Sequence, residues 1–466
     1  MEFINRTAEL IGLNQRYADE RAELFVLYGR RRTGKTALLR EFCRGKAHVY
    51  FLAAQLREPD NLRQLKEDIL TARPDPLLAA MSFTGWDVVL SYLAKLAENE
   101  QFILVLDEFP YLCQENPALP SILQRWWDTT GKHTRLFLIL CGSHVGFMEN
   151  EVLAERSPLY GRRTGQAKLG PLLPWDAGLF FLRYTAREKL IAYGILGGIP
   201  AYLERFSTTR NIHENLLREA LNGQGFFFEE VNFLLRTELN HIATYLSILK
   251  AVAGGATRTS EIASRAGITA TGATKYIGIL RDMGLLRREV PATEEYPDKS
   301  KRGLYVIDDP FVAFWCRFIL PYQGLIQAGQ GETVWQEYID PQLNTHLGLV
   351  FEEVCRLYVL HRWGERHGET PLRVGRWWSG DSEIDVFAEI QQHSQAMILV
   401  GECKWWQKPV GKNVLEELQR KTAAIPLASN RKFQYALFSV SGFTDALMER
   451  AKDEGIILID APQIMS

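Results

Sequence analysis

A chain of 466 residues with 54 Lys plus Arg against 56 Asp plus Glu carries a formal charge of -2, which excludes a uniformly basic nucleic-acid binder and leaves only local patches for that role. Hydrophobic residues at 46% and charged residues at 24% exclude a disordered or collagen-like chain, and the length calls for two to four domains. No apolar run approaches the ~20 residues that span a bilayer, MEFINRTAEL lacks a secretory segment, and the six cysteines form no CxxC. A cytoplasmic protein without membrane partner, zinc module or disulfide framework is expected.

Leu24 to Tyr28 predicts a short buried strand. It runs into Gly29-Arg30-Arg31-Arg32-Thr33-Gly34-Lys35-Thr36, followed by a helical stretch from Ala37 to Phe42. Strand, GxxxxGK[ST] and helix stand in the order that a phosphate-binding loop requires. The glycines let backbone N–H groups wrap phosphates, and the helix N-terminus adds partial positive charge. Lys35 is then placed to reach the β- and γ-phosphates and the Thr36 hydroxyl to ligate Mg²⁺. A second strand, Phe102 to Leu106, ends in Asp107-Glu108; Asp107 is assigned to Mg²⁺ and Glu108 to polarising the attacking water. A third, Arg135 to Leu140, ends in Gly142-Ser143, where Ser143 either senses the γ-phosphate or caps the next helix. ATP and Mg²⁺ are the expected cofactors.

Further on, apolar spacing predicts helices over Ile212 to Asn222 and Thr237 to Ala253. Thr259 to Ile268 has the short helix, glycine turn and apolar residue of a helix-turn-helix, with a second helix from Ala270 to Met283. A polar loop, Glu289 to Arg302, and a strand from Leu304 to Ile307 complete the order of a winged helix. Residues 257–303 hold nine Lys plus Arg and six Asp plus Glu, enough for a modest DNA-facing surface. Thr271, Thr274, Lys275 and Arg281 on the second helix and Lys299, Lys301 and Arg302 on the wing are its candidates; an internal structural module is the alternative. Phe311 to Tyr322, interrupted by Arg317 and Pro321, predicts an interdomain packing helix.

Gly348 to about Trp363 predicts an amphipathic helix carrying Glu352 and Glu353. Glu383-Ile384-Asp385 opens one strand, and Met397 to Trp406 supplies another containing Glu402-Cys403-Lys404. Strand alternation puts Glu402 and Lys404 on one face, and a hairpin brings Asp385 beside Glu402. Asp385 and Glu402 holding Mg²⁺, with Lys404 as a positioned cation and Glu352 completing the site, is the arrangement of a metal-dependent nuclease. Glu353 competes with Glu352 for that role, and a buried carboxylate–lysine pair is the structural alternative. The Trp377-Trp378 and Trp405-Trp406 pairs flank both motifs, where core packing and base stacking both suit tryptophan.

Several segments carry a resemblance: Phe3-Ile4-Asn5-Arg6 with Glu9-Leu10, GRRRTGKT, LVLDEF, LILCGS, Ser157-Pro158-Leu159-Tyr160-Gly161-Arg162 and Gly197-Gly198-Ile199-Pro200. With them, residues 1 to about 205 resemble the archaeal/prokaryotic ATPase family among the STAND/AAA-related P-loop NTPases. The resemblance implies base-side contacts from Phe3 and Arg6, and an arginine finger or γ-phosphate sensor at Arg162 or Arg163. The E…EID…ECK order resembles the PD-(D/E)xK nuclease superfamily, and the whole arrangement is similar to chains ending in a DUF234 region. In that resemblance the helix from Leu415 to Lys421 brings Gln419 or Lys421 near the second site. The expected fold is therefore α/β: a P-loop NTPase with parallel sheet and helical lid (1–205), a helical linker and winged helix (206–320, winged helix about 257–310), and a restriction-endonuclease-like α/β domain (340–466). The implied function is ATP hydrolysis coupled to DNA binding and Mg-dependent DNA cleavage, with homo-oligomerisation left open. The rival is a STAND-like regulatory switch whose C-terminal domain binds nucleic acid without cutting it.

Overall fold

The computed structural model describes residues 3–239, 241–392, 395–423, 425 and 432–466. Backbone packing divides the chain into two units, Met1–Pro171 and Leu172–Ser466. Among the described residues no helix is long and apolar enough to cross a membrane.

The first unit is built on five parallel strands: β1 (Glu23–Tyr28), β2 (His48–Leu52), β3 (Phe102–Asp107), β4 (Leu136–Gly142) and β5 (Gly165–Lys168). Their order is β2-β3-β4-β1-β5. Every residue of β1, β3 and β4 is buried, which is why these strands read as unbroken apolar runs rather than alternating ones. Leu24, Val26, Leu104 and Leu138 pack into a core on one face. Phe25, Leu27, Ile103 and Ile139 point to the other, against Leu38 and Leu39 of the Lys35–Cys43 helix. Because β4 lies between β1 and β3, the chain segments leaving all three emerge at one edge of the sheet, where ligands of parallel sheets bind.

The second unit opens with helical segments, of which Ala186–Leu196 is fixed by a capping box between Thr185 and Glu188. The helix expected over Thr237 to Ala253 is instead two, Glu230–Glu238 and Ile242–Ala253; His241 at φ 56° precedes the second. Helices Thr259–Ala266 and Ala270–Asp282 follow, joined through Gly267 at φ 69°. An antiparallel hairpin comes next, β6 (Leu286–Glu289) with β7 (Leu304–Ile307). The aromatic stretch at 311–322 is not one regular helix: Pro310–Phe314 widens to a π turn over Trp315–Ile319 and tightens to a 3₁₀ turn at Leu320–Tyr322. Pro321 supplies no N–H for an α ladder there, and Trp315 is anchored by donating to the Phe227 carbonyl at 2.9 Å.

A 28-residue helix, Asp340–His367, leads into a mixed sheet of order β12-β11-β10-β9-β8. It comprises β8 (Thr370–Ser379), β9 (Ser382–Gln392), β10 (Gln395–Lys404), β11 (Lys432–Ser439) and β12 (Ile457–Asp460). The β8, β9 and β10 strands are antiparallel, whereas β10, β11 and β12 run parallel. The loop between β6 and β7 lies against β8: Ala292 N–H donates to the Arg376 carbonyl at 2.9 Å, Arg373 donates to Ala292 O at 2.9 Å, and Arg302 bonds the Trp378 carbonyl.

Candidate functional site

The first site forms where β1, β3 and β4 end. Gly29 has φ +154°, and a Cβ there would lie 2.3 Å from the Leu169 carbonyl oxygen, so the loop turns where only glycine fits. Lys35 Nζ donates to Gly29 O at 2.8 Å and Arg30 O at 2.9 Å, holding the loop closed around its own ammonium. Thr33 Oγ1 bonds Arg30 O at 2.9 Å; Arg32 and Gly34 adopt φ 68° and 93°, and Arg31 reaches Tyr111 OH at 2.8 Å. Thr36 Oγ1 donates to Asp107 Oδ2 at 3.1 Å. Glu108, at φ 55°, is turned toward β4, where Ser143 Oγ bonds its carboxylate at 2.9 Å. Lys35, Thr36, Asp107, Glu108 and Ser143 therefore meet, with a cation, two hydroxyls and two carboxylates at one sheet edge.

Arg6 is buried and braces this loop: its guanidinium donates to Thr33 O at 3.0 Å and Gly170 O at 2.6 Å. Phe3 packs on the core beneath the Lys35–Cys43 helix. Arg162 lies in an ion pair with Asp128 at 3.1 Å, while Arg163 covers the Tyr160 ring. Tyr50 was not singled out by its sequence context, yet its hydroxyl bonds Asp107 Oδ2. The signal was faint: Tyr50 stands on β2 opposite Val105, two residues from Asp107. Burial, then the charge of Asp107, pushes the Tyr50 hydroxyl well above the usual phenol range, so it remains a donor.

A second site lies on the mixed sheet. Pairing of β9 with β10 runs to Val386 opposite Gly401, which sets Asp385 beside Glu402. Asp385 Oδ2 accepts the Cys403 N–H at 2.8 Å. Single oxygens of Glu352, Glu383 and Asp385 all fall within 4.8 Å of one another. Burial and then the neighbouring Asp385 push the Glu352 carboxyl up to about 8, and burial followed by Glu402 pushes Asp385 up to about 6. The crowding is that of like charges, which Arg356 and Arg376 offset only in part at Glu352. Glu402, expected as a ligand beside Asp385, accepts instead from Lys404 at 2.7 Å and Lys421 at 3.1 Å. The carboxylate that joins Glu352 and Asp385 is Glu383, two residues along the same strand.

On the Ala270–Asp282 helix, Thr271, Thr274, Lys275 and Arg281 are exposed, as are Lys299, Lys301 and Arg302 on the loop between β6 and β7. Trp377 and Trp405 are buried, whereas Trp406 is 44% exposed. Of the two pairs, only one tryptophan is thus largely open to solvent.

Residues 3–206 match an ATPase domain found predominantly in Archaea, and residues 315–421 match archaeal and bacterial proteins of unknown function. The uncharacterized protein MJECL04 of Methanocaldococcus jannaschii is 33% identical over 438 residues, 93% of this chain and 95% of that protein. Among solved structures, the Walker-type ATPase PABY2304 of Pyrococcus abyssi superposes with a TM-score of 0.50 at 22% identity, over 68% of this chain and 96% of the other. The α/β P-loop NTPase fold follows from that superposition. The chain belongs to the family of MJECL04, as an ATP-binding and ATP-hydrolysing P-loop ATPase that continues into a DUF234 region.

Proposed function

We propose that the second unit is a metal-dependent nuclease acting on DNA and that ATP hydrolysis in the first unit is coupled to it. The observation that carries this reading is the convergence of Glu352, Glu383 and Asp385 within 4.8 Å, next to the Glu402–Lys404 pair. Three carboxylates form a hard oxygen donor set suited to Mg²⁺ or Mn²⁺. Mg²⁺, when bound, supplies the Lewis acidity for phosphodiester hydrolysis. Asp385 is the central ligand, held by the Cys403 N–H; Glu352 and Glu383 flank it, and Lys404, anchored on Glu402, offers a cation to a phosphate oxygen. The helix-turn-helix and hairpin belong to a winged helix in this reading. Its exposed Lys275, Arg281, Lys299, Lys301 and Arg302 supply the phosphate contacts.

In the first unit Gly29 through Thr36 cradle the triphosphate, and Thr36 and Asp107 hold Mg²⁺. Glu108, steered by Ser143, polarises water; Phe3 and Arg6 serve the base side, and Arg162 meets the γ-phosphate. The test is incubation of single-stranded, double-stranded and branched DNA with Mg²⁺ or Mn²⁺, with and without ATP. Cleavage that disappears in Asp385→Ala and Lys404→Ala supports the nuclease. Intact DNA in every arm, alongside continuing ATP hydrolysis, leaves the regulatory switch. That reading is favoured by one observation: Glu402 is 4% exposed and closed off by two lysines.

A further inference from the structure

Three arginines stand between the β6–β7 hairpin and the carboxylates of the second site. Arg287, on β6, bonds Glu289 at 2.6 Å, Asp308 at 3.0 Å and Glu353 at 2.7 Å. Arg356, on the Asp340–His367 helix, bonds Glu353 at 2.9 Å and the Asp385 carbonyl at 2.9 Å, and lies 3.9 Å from Glu352. Arg376, on β8, makes ion pairs with Glu289 at 3.2 Å and Glu383 at 3.5 Å. Glu352 and Glu383 thus each have an arginine of this network beside them, and Arg356 and Arg376 are ready competitors for a metal ligand.

The charges decide where those arginines belong. Arg287, Arg356 and Arg376 are matched one for one by Glu289, Asp308 and Glu353, none of which is in the converging trio. Glu352 and Glu383 have only a share in Arg356 and Arg376, at 3.9 and 3.5 Å. Two of the three neutralising carboxylates, Glu289 and Asp308, come from the hairpin and the residue after it, outside the 315–421 region of unknown function. Glu289 is well buried, its side chain 12% exposed. Burial alone would raise its pKa, but Arg287, Arg356 and Arg376 together hold it below the usual carboxylate range, so it is ionised.

We propose that Glu289 is a positioning residue for a divalent-cation site formed by Glu352, Glu383 and Asp385. It shares Arg376 with Glu383, so that the guanidinium is not committed to Glu383 alone, and through Arg287 and Glu353 it fixes Arg356 on the Asp385 carbonyl. The hairpin is on this account part of the metal site as well as a nucleic-acid element. The inference rests on the metal reading above. Groups that orient ligands from behind typically control affinity by about 10–100-fold.

The test is titration of the full chain with Mn²⁺, without nucleotide, by calorimetry. Wild type is compared with Asp385→Ala, Glu289→Gln, Arg376→Gln and the Glu289→Gln/Arg376→Gln double variant. Glu289→Gln is expected to weaken Mn²⁺ by about tenfold or more, because Arg376 then commits to Glu383 alone. The double variant is expected to recover most of that loss, and Arg376→Gln alone to bind at least as tightly as wild type. Recovery in the double variant is what a merely structural role for Glu289 does not produce. Unchanged affinity in Glu289→Gln, a double variant as weak as the single, or weakened binding in Arg376→Gln overturns the positioning role. The last comparison holds even where Glu289→Gln fails to fold. Wild type that binds no Mn²⁺, or binds it no better than Asp385→Ala, overturns the metal reading instead.

Discussion

Replacing Glu352 by Gln should stabilise the metal-free protein, and only at neutral to alkaline pH. The Glu352 carboxyl is pushed up to about 8 in the fold, by burial and then by Asp385, from an ordinary 4.5. A carboxyl whose folded pKa is raised contributes stability that is fully present below about pH 4.5 and is lost as pH rises toward about 8. At 1.36 kcal/mol per unit, the loss by pH 7 has a ceiling of about 3 kcal/mol. The side chain keeps 21% of its surface in water, and Arg356 lies nearby, so about half of that ceiling is the expected effect. The amide of Gln cannot ionise and escapes the loss.

Calorimetric unfolding in a chelator should therefore show Glu352→Gln about 1–2 kcal/mol more stable than wild type at pH 7, a rise of roughly 2–4 °C per kcal/mol, and equal to it near pH 4.5. Excess Mn²⁺ should reverse the order, since a ligand at 100 times its Kd adds about 2.7 kcal/mol to the chain that binds it. Equal destabilisation of the variant at both pH values would falsify the picture of crowded acids. It would make Glu352 a structural carboxylate.

Three further outcomes follow from the geometry. Gly29→Ala forces a Cβ to 2.3 Å from the Leu169 carbonyl at φ +154°; loss of ATP binding by fluorescence titration is expected, and wild-type affinity would show the loop geometry to be wrong. Glu108→Gln should keep ATP binding and lose about 10²–10⁴-fold in phosphate release; loss of binding together with hydrolysis would move Glu108 from chemistry to structure. Burial pushes His346 down to about 4, with its ring on the Gly194 carbonyl at 2.9 Å, so its contribution is full above about pH 6.5 and lost as pH falls toward about 4. His346→Gln should flatten that limb of the stability–pH curve by up to about 3 kcal/mol; an unchanged slope would assign the acid sensitivity elsewhere.

What sequence reading reached, and what it missed, follows from the range of the interactions. The stretches LFVLY, FILVL and LFLIL are continuous because both faces of a parallel strand are covered, and each runs directly into its polar residues. Lys35, Thr36, Asp107, Glu108 and Ser143 could therefore be located before any coordinates. Asp385 beside Glu402 was legible for the same local reason, since antiparallel neighbours are fixed by register. Strand alternation puts Glu383 on the face of Asp385, and the resemblance brings Lys421 near the site. That Glu383 rather than Glu402 joins Asp385 and Glu352, and that Lys421 closes on Glu402, depend on how far each strand twists and where the helix docks, which spacing does not record. Arg162 meeting Asp128 is a pairing across 34 positions that any of several acids could have made.

The hairpin network is the extreme case. Arg287, Arg356 and Arg376 come from three elements, and nothing local tells an arginine that answers a buried glutamate from one that faces a phosphate. The segment 257–303 looked basic, at nine against six, and invited a nucleic-acid reading throughout. Packing divides its charges: Lys275, Arg281, Lys299, Lys301 and Arg302 stay exposed, whereas Arg287 is turned inward against Glu289, Asp308 and Glu353. A net charge of -2 thus conceals two opposite local arrangements, an outward cationic surface and three converging carboxylates that share their arginines with other acids. On the nuclease reading proposed above, attraction for phosphate and a seat for a dication coexist in a nearly neutral chain because arginines are consumed by partners chosen from other elements.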